Sequence, residues 1–291
     1  KANYAIAMAK QAAFRLANQI DKTLLASGVA GASTTIAAGS PTVSDVVALL
    51  GDNYAQLFAQ NATDGEMFGV VTPRFVSLLS QTFVSNGFNL ADTMLRNSFK
   101  GMAGEFKIYA SNNLPTTVSL SAATNPTAGD TMTLYGVTWT FVANGTAAAA
   151  GDISIGGNAA ATQAIIVNAI NGTGVPGVAT YIDVSADNRT LYTNQAMLAG
   201  AFAANVSAIT AVGRINATET FTAAGNVFGT EVASMLFGRM GAISLGMQMQ
   251  PNLYIRDETK QIARNYITHT LYGTKVFSRD TFRLLKVTLN Q

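Results

Sequence analysis

The sequence predicts an α+β fold in which a small domain is inserted into a larger one. Three observations lead to this prediction. Residues 2–27 carry apolar side chains at helical spacing, which indicates one long amino-terminal helix. Short strands and helices alternate over residues 42–110, and strands alone are indicated after residue 240. Between these regions, residues 112–229 contain seven charged side chains and no lysine, whereas charge is more frequent on both sides.

The amino-terminal part of the chain begins with two predicted helices. The first covers residues 2–27 and ends at Gly28, because glycine commonly terminates helices. The second covers residues 45–61, with Thr42 as its capping residue and Asp45 near its positive end. Each helix has an apolar face suited to packing against other elements.

Two strands and a third helix complete this part. The apolar residues 68–71 predict a short buried strand. Thr72 and Pro73 then predict a helix start, because proline in the first turn loses no helical hydrogen bond, and the helix covers residues 74–81. Alternation over residues 106–110 predicts a half-exposed strand that ends in the turn-forming sequence Ser-Asn-Asn-Leu-Pro.

The weakly charged region has secondary-structure signals of its own. Its five acidic and two basic side chains give a net charge of −3, in a chain whose net charge is +2. We therefore predict that residues 117–222 form an autonomously folding inserted domain of small α+β or mostly β type. Its predicted elements are strands at 132–134, 137–142, 153–155, 180–184 and 190–193, and a helix at 159–170.

The carboxy-terminal region is predicted to be made of strands. Ile243, Leu245, Met247 and Met249 alternate along one long strand. Further β segments are indicated at residues 261–271, 274–278 and 281–289. In the last of these the apolar phase changes between Leu284 and Leu285, which indicates a β-bulge.

Taken in order, these elements resemble the major capsid proteins of tailed bacteriophages with the Hong Kong 97-type fold. The resemblance rests on residues 64–79 (DGEMFGVVTPRFVSLL), followed by residues 104–115 (GEFKIYASNNLP), with YGTKV at residues 272–276 among the last strands. It implies the following division of the chain: a peripheral domain with a long spine helix at 1–30, an axial domain at 31–116, the inserted domain at 117–222, a return to the axial domain at 223–240, and peripheral strands at 241–291.

The resemblance also implies a function. A protein of this family is a structural subunit, not an enzyme, and it uses no cofactor or metal. It assembles with itself into hexamers and pentamers of an icosahedral shell around double-stranded DNA, in the bacterial host cytoplasm, and becomes part of the virion. Expected partners are scaffolding, portal and decoration proteins, with weak non-specific DNA contacts and no membrane. We also expect the inserted domain on the outer surface, and residues preceding Lys1 that supply an arm and a loop.

Composition agrees with an assembly subunit and leaves one alternative open. Charged residues make up 12% of the chain, against about 25% in ordinary soluble proteins, so much of the surface is expected to be covered by neighbours. The absence of cysteine excludes disulfides and cysteine-based zinc sites. The alternative is a secreted or surface β-rich adhesin or carbohydrate-binding protein, which the composition of the inserted region would also fit.

The candidate catalytic and metal-binding residues have weak signals. His269 is the single histidine and lies in a predicted strand without a cluster of potential ligands, so we interpret it as an ordinary strand or interface residue. Asp257 and Glu258 are adjacent, and neighbouring strand residues point to opposite faces, unlike a convergent acid–base pair. We expect a solvated or intersubunit ion-pairing segment there, together with Arg256 and Lys260.

Three further patterns in the inserted region and its surroundings have structural interpretations. Asp183, Asp187 and Asn188 lack the full spacing of a calcium loop and predict a turn. Gly156 and Gly157 precede a helix and could bind an anion, but without a nearby basic residue a tight turn is the preferred interpretation. We attribute to chance the six Asn-x-Ser/Thr sequences, which begin at Asn61, Asn144, Asn171, Asn188, Asn205 and Asn216.

Overall fold

A computed structural model describes residues 2–85, 101–203, 206–257 and 264–291. The described residues form both helices and sheets, so the fold is α+β as predicted. The chain divides into two compact units, each assembled from separate stretches of sequence. The first contains Lys1–Ala37, Pro41–Leu114 and Met235–Val287, and the second contains Ala38–Ser40, Pro115–Ser234 and Thr288–Gln291.

The predicted inserted domain at residues 117–222 lies within the second unit. That unit extends further towards both ends, because it also contains the strand that begins at Pro115 and residues up to Ser234. The assignment of the remaining residues to peripheral and axial domains stays a prediction.

The described part of the first unit contains three helices and most of the described strands outside the predicted insert. β2 (Met67–Val71) lies between β13 (Val232–Arg239), to which it is antiparallel, and β4 (Phe106–Ala110), to which it is parallel. β3 (Gly101–Ala103) pairs with the other edge of β4. β14 and β15 pair as a separate antiparallel hairpin. Its elements are α1 (Ala2–Gly31), α2 (Asp45–Ala59), β2 (Met67–Val71), α3 (Pro73–Ser85), β3 (Gly101–Ala103), β4 (Phe106–Ala110), β14 (Ser244–Asp257), β15 (Arg264–Lys275) and the 3-10 turn Thr281–Arg283. Three strands contribute residues to both units: β1 (Thr34–Gly39), β13 (Val232–Arg239) and β16 (Leu284–Asn290).

The first helix is longer than the sequence indicates. α1 continues through Gly28, the predicted stop, and ends at Gly31. Gly28 serves packing instead, because a Cβ atom there would lie 2.6 Å from side-chain atoms of both Ile243 and Leu236. The absence of a side chain thus lets the helix approach its neighbours closely.

The starts of the next two helices differ in how they are capped. Thr42 was predicted to cap α2, but its backbone N–H and its hydroxyl instead donate hydrogen bonds of 2.8 and 2.7 Å to the Asp45 carboxylate. These hydrogen bonds lower the pKa of Asp45. The prediction for α3 is confirmed, since the Thr72 hydroxyl accepts a hydrogen bond from the Phe75 N–H, and Pro73 is the first helical residue.

The second unit contains two sheets and two helices. In one sheet β5 pairs with β10 along one edge and with β12 and the start of β13 along the other, and β10 also pairs with β9. The other sheet has the order β11-β6-β7-β8. Its elements are β5 (Pro115–Ala122), β6 (Thr131–Leu134), β7 (Val137–Val142), β8 (Asp152–Ser154), α4 (Ala159–Asn171), α5 (Ala186–Asn194), β9 (Leu198–Ala203), β10 (Val206–Val212), β11 (Thr218–Glu219) and β12 (Asn226–Phe228).

Two strand predictions in this unit are wrong. Residues 190–193 were predicted as a strand, but they lie in the helix α5. The Ser185 hydroxyl caps that helix by accepting from the Asn188 N–H, and the hydroxyls of Thr190 and Thr193 donate to the carbonyls four residues earlier. Residues 180–184 contribute only an isolated bridge, in which Tyr181 pairs with Ile153.

The predicted strands at the carboxyl terminus are present with different bounds. β14 extends the predicted alternation to Asp257, and β15 ends at Lys275, so residues 276–278 do not continue it. Residues 261–263 of the predicted segment lie outside the described residues. The change of apolar phase at Leu284 coincides with the junction between the 3-10 turn and β16.

A buried aromatic pair in the second unit makes its stability dependent on pH. Trp139 Nε1 donates a 2.8 Å hydrogen bond to the Tyr192 hydroxyl. Burial raises the pKa of Tyr192 from its ordinary value of 10.0 to about 12. Because the folded protein favours the neutral phenol, the resulting stabilisation is complete below pH 10 and is lost as the pH rises from 10 to 12.

We therefore expect the free energy of unfolding of this unit to fall by about 2–3 kcal/mol across that pH range because of Tyr192. Urea unfolding at several pH values, followed by fluorescence of Trp139, the single tryptophan, measures this fall. In the Tyr192→Phe variant the fall should be smaller by that amount. The same pH dependence in both proteins would contradict this role of Tyr192.

Candidate functional site

The structure does not bring the candidate catalytic residues together within its described part. The backbone of His269 lies in β15 opposite Asn252, and Asp257 ends β14 opposite Arg264. The side chain of His269 and the whole of Glu258 and Lys260 lie outside the described residues. Across the described ranges, no group of three or more histidine or acidic side chains could hold a metal ion. The prediction that the chain is not an enzyme stays a prediction.

Asp183, Asp187 and Asn188 were predicted to form a turn, but they flank and begin helix α5. Asp183 forms an ion pair with Arg189, whose guanidinium also donates hydrogen bonds of 2.8 and 2.7 Å to the carbonyls of Ala169 and Ile170. These carbonyls belong to the last turn of α4, where basic groups are favourable. The cluster therefore joins the two helices of the second unit.

The glycine pair at Gly156 and Gly157 precedes α4 without leaving its amino terminus free. The Asn158 side chain accepts from the Ala161 N–H at 2.8 Å, and the Gly156 N–H donates to the Thr162 hydroxyl at 2.8 Å. The Asn158 and Thr162 side chains thus already accept from backbone N–H groups that an anion bound at this helix end would need.

The Asn-x-Ser/Thr sequences occupy varied positions. Asn144 lies in an exposed loop. The side-chain amide of Asn171 donates a hydrogen bond to the Ala199 carbonyl and accepts one from the Ala199 N–H. Asn61 and Asn216 are exposed and have positive φ angles of 53° and 52°. Asn188 lies in α5, and Asn205 is outside the described residues.

The Ser-Asn-Asn-Leu-Pro sequence at residues 111–115 follows β4 and also contacts α1. The Asn113 side-chain amide donates hydrogen bonds of 2.6 Å to both Asn18 and Asp21 of α1. The Ser111 hydroxyl in turn accepts from the Asn113 N–H at 3.1 Å. This turn therefore attaches the end of β4 to α1 within the first unit, a contact that no local sequence pattern predicts.

Part of the hairpin of β14 and β15 packs against α1. On β15, Tyr272 and Thr274 share one face. Their hydroxyls form hydrogen bonds of 2.9 and 2.6 Å with Thr23 and Ser27 of α1. Residues 272, 274 and 276 are half-buried against this helix, whereas 271, 273, 275 and 277 are exposed. Helix α1 thus covers one face of β15.

Apolar side chains remain exposed on this hairpin. We define the hairpin patch as Leu245, Met247, Met249 and Leu271, whose exposed fractions are 42%, 45%, 44% and 51%. Leu245 and Met247 are paired with the residues that contact α1, yet the helix leaves them uncovered. A register shift follows Met247, so that Met249 is paired with Leu271. Because neighbouring strand residues point to opposite faces, Leu271 lies on the face of β15 opposite to that of Tyr272, away from α1. Apolar groups are therefore exposed on both faces.

Such an arrangement is suited to binding another protein surface. A two-stranded hairpin is marginally stable in water unless a further surface packs against it. Apolar patches of this kind commonly mark protein–protein contacts, and unpaired strand edges can accept an additional strand. The alternation of residues 243–249 predicts the strand, but only the position of α1 reveals that this surface is uncovered.

Among the described residues, no helix is long and apolar enough to cross a membrane.

Comparison with known proteins gives little further information. No protein-family model matches the chain, and no curated protein matches it. It is similar to a solved structure from Mycobacterium phage Che8, with 11% sequence identity and a TM-score of 0.47. The similarity covers 97% of this chain, which spans 62% of the length of that one.

Proposed function

We propose that this chain is the major capsid protein of a tailed double-stranded DNA bacteriophage and that its function is to assemble with itself into an icosahedral head shell. The observation that carries the proposal is the hairpin patch, a set of apolar side chains that stay exposed on both faces of the hairpin in the first unit. The order of the sequence elements, which resembles the Hong Kong 97-type family, supports it. So does the charged content of 12%.

The proposed mechanism is the formation of interfaces. Contacts between different surfaces of neighbouring copies close into rings, which gives hexamers and pentamers, and further contacts join these rings into a shell. Burial of the four side chains of the hairpin patch would stabilise such contacts, since removing apolar surface from water contributes about 25 cal/mol per Å². Low charge reduces the desolvation cost of covering the rest of the surface.

The other proposed partners follow from the same function. Scaffolding, portal and decoration proteins would bind the assembled shell, which forms in the host cytoplasm and becomes part of the virion. With a net charge of +2, contacts with the packaged DNA would be weak and non-specific. We propose that the predicted insert lies on the outer surface of the shell, because its net charge of −3 would be repelled by the DNA phosphates inside.

The carbohydrate-binding alternative is less well supported by the second unit. Sugar rings commonly stack on exposed aromatic side chains. Trp139, the single tryptophan, is fully buried in that unit, as are Tyr181 and Tyr192. Tyr135, Phe221 and Phe228 of the same unit are half-buried.

Substitution of the hairpin patch tests the proposed function. We expect the full-length native protein to form shells tens of nanometres across, visible by negative-stain microscopy and light scattering. The double variant Met247→Lys, Leu271→Lys should form no shells, because two charges would have to be buried at the contact. Its circular dichroism spectrum should be unchanged, since both side chains are exposed in the single chain.

The matched control is Val175→Lys, Val178→Lys, which adds the same charge at two exposed apolar positions of the second unit. This control should assemble. A native protein that remains monomeric under all assembly conditions would contradict the proposed function. Normal assembly of the Met247→Lys, Leu271→Lys variant would show that the hairpin patch is not an assembly surface.

A further inference from the structure

A groove with a volume of 1060 Å³ runs along α2 in the first unit. Its floor contains the buried side chains of Leu50, Leu79 and Phe106, and Val47 and Tyr54 line its side. Val47 is 54% exposed. Small-molecule pockets commonly have volumes of about 300–1,000 Å³, so this open groove is at the upper end of that range. Its size and apolar lining suit the side chains of another protein element.

The surroundings of the groove are acidic. Glu105 lies in its lining, and α2 carries Asp45 and Asp52 on its exposed side. Residues 31–73, which include the whole of α2, contain no lysine or arginine. Of their four acidic side chains, Asp64 and Glu66 form ion pairs with Arg239 and Lys107, which leaves Asp45 and Asp52 on α2. A partner that fits the groove should therefore present an apolar side chain flanked by basic ones.

The amino-terminal half of α1 has this pattern. Phe14 is 72% exposed, and its helical neighbours Lys10 and Arg15 are also exposed. Residues 2–20 contain these two basic side chains and no acidic one. An exposed phenylalanine on a helix lacks the burial that usually stabilises such a side chain, and amphipathic helices commonly bind in apolar grooves through such residues.

We propose that the groove along α2 binds the amino-terminal half of α1 from a second copy of this chain, with Phe14 inserted beside Val47 and Tyr54. Phe14 is not among the described residues that line the groove of its own chain, so the proposed occupant is Phe14 of another copy. Lys10 and Arg15 then lie near Glu105 and Asp52. This inference rests on the proposed self-assembly, and it identifies two different surfaces that meet in a head-to-tail contact.

A head-to-tail contact has a structural consequence. Each copy offers one helix and one groove, so every copy can bind two neighbours, and the contact continues until a ring closes. The proposed capsomers require contacts of this kind. The hairpin patch remains available for other neighbours, because it involves neither the groove nor Phe14.

Cysteine cross-linking tests the proposal directly, since the natural chain contains no cysteine. Phe14→Cys and Val47→Cys are prepared as separate full-length proteins, mixed, and oxidised with diamide. We expect a disulfide-linked dimer from the mixture, and a ladder of larger species when one chain carries both substitutions. A mixture of Phe14→Cys with Val175→Cys, an exposed position of the second unit, is the control and should give no such product.

Charge reversal provides a second readout. Arg15→Glu should weaken assembly about fivefold, and adding Glu105→Arg to the same chain should restore it, because the pair of charges is exchanged. Phe14→Asp should weaken assembly about 30-fold, as expected for an interface aromatic residue. Phe14 is exposed in the single chain, so these variants should fold normally.

The outcomes separate this inference from the proposed function. A native protein that forms shells but shows neither the cross-link nor rescue by Glu105→Arg refutes the helix-in-groove contact and leaves self-assembly intact. If Val47→Asp blocks assembly while Phe14→Asp does not, something other than α1 occupies the groove, and the inference is wrong. A protein that stays monomeric and gives no cross-link refutes both.

Discussion

Replacing Trp139 with alanine should destabilise the second unit by about 3–5 kcal/mol, the cost measured for removing large aromatic side chains from protein cores. Trp139 lies on β7 and is fully buried. It belongs to a cluster that joins the strands β6 and β7 to the helix α4 through residues such as Met132 and Ile166. Alanine would leave a cavity among these elements.

The substitution also removes a hydrogen bond. Trp139 Nε1 donates to the Tyr192 hydroxyl, which lies 3.4 Å from the Leu134 carbonyl. Without the indole the buried phenol loses its closest polar partner, which adds to the cost of the cavity. Because domains are stable by only about 5–15 kcal/mol, the variant should lose a large part of the stability of this unit.

Hydrogen–deuterium exchange measured by mass spectrometry distinguishes the two units in the intact chain. In Trp139→Ala, exchange should increase in β6, β7 and α4 while α2 and β2 keep their protection. Trp139→Phe is the matched control, because it keeps most of the ring volume and loses only the donor, and it should cost less. Unchanged exchange in β6 and β7 of the alanine variant would contradict the central position of Trp139.

Periodicity predicts much of the fold because burial repeats along regular elements. Helix α2 was predicted from apolar spacing, and its residues Val46, Leu50 and Leu57 are indeed buried. The same holds for β4, where Phe106 and Ile108 are buried and Lys107 is half-buried. Each of these elements buries one face and exposes the other, so the spacing of its apolar side chains indicates whether it is a helix or a strand.

Other elements depend on contacts that a local pattern does not contain. Residues 190–193 were predicted as a strand, but the Ser185 hydroxyl caps a helix there, and the Thr190 hydroxyl donates an intrahelical hydrogen bond to the Ala186 carbonyl. At Gly28 the close approach of Ile243, more than two hundred residues away in sequence, outweighs the tendency of glycine to end a helix.

The candidate site was predictable only in part. The sequence predicts a subunit with many covered surfaces, and the alternation around Met247 predicts a strand. Which side chains stay exposed depends on the position of α1 over β15, which is a tertiary contact. The groove along α2 likewise combines residues from α2, α3 and β4 and has no local signature.

Replacing Phe237 with alanine should have a comparably large effect on the first unit, again about 3–5 kcal/mol. Phe237 lies on β13 and is fully buried. Its ring meets those of Phe75 on α3 and Phe106 on β4 in edge-to-face contacts, with centroid distances of 6.4 and 5.2 Å. Such aromatic pairs contribute about 0.5–1.5 kcal/mol each beyond the area they bury.

The backbone around Phe237 is shaped to accept the ring. A Cβ atom at Gly69 on β2 would lie 2.6 Å from the ring of Phe237, so the neighbouring strand has no side chain at the point of contact. Without the ring, neither Gly69 nor the main chain can fill the space, and the cavity persists. The loss should therefore be at the upper end of the range for a phenylalanine.

Urea unfolding measured by hydrogen–deuterium exchange in α2, β2 and β4 provides the stability of this unit, while Trp139 fluorescence reports separately on the second unit. Phe14→Ala is the matched control, because it removes the same ring from an exposed position and should change the stability by less than about 0.5 kcal/mol. Equal effects of Phe237→Ala and Phe14→Ala would mean that the three rings do not form the core of the first unit. A large difference would also establish that Phe14 is not needed for folding, as its proposed role in binding a second copy requires.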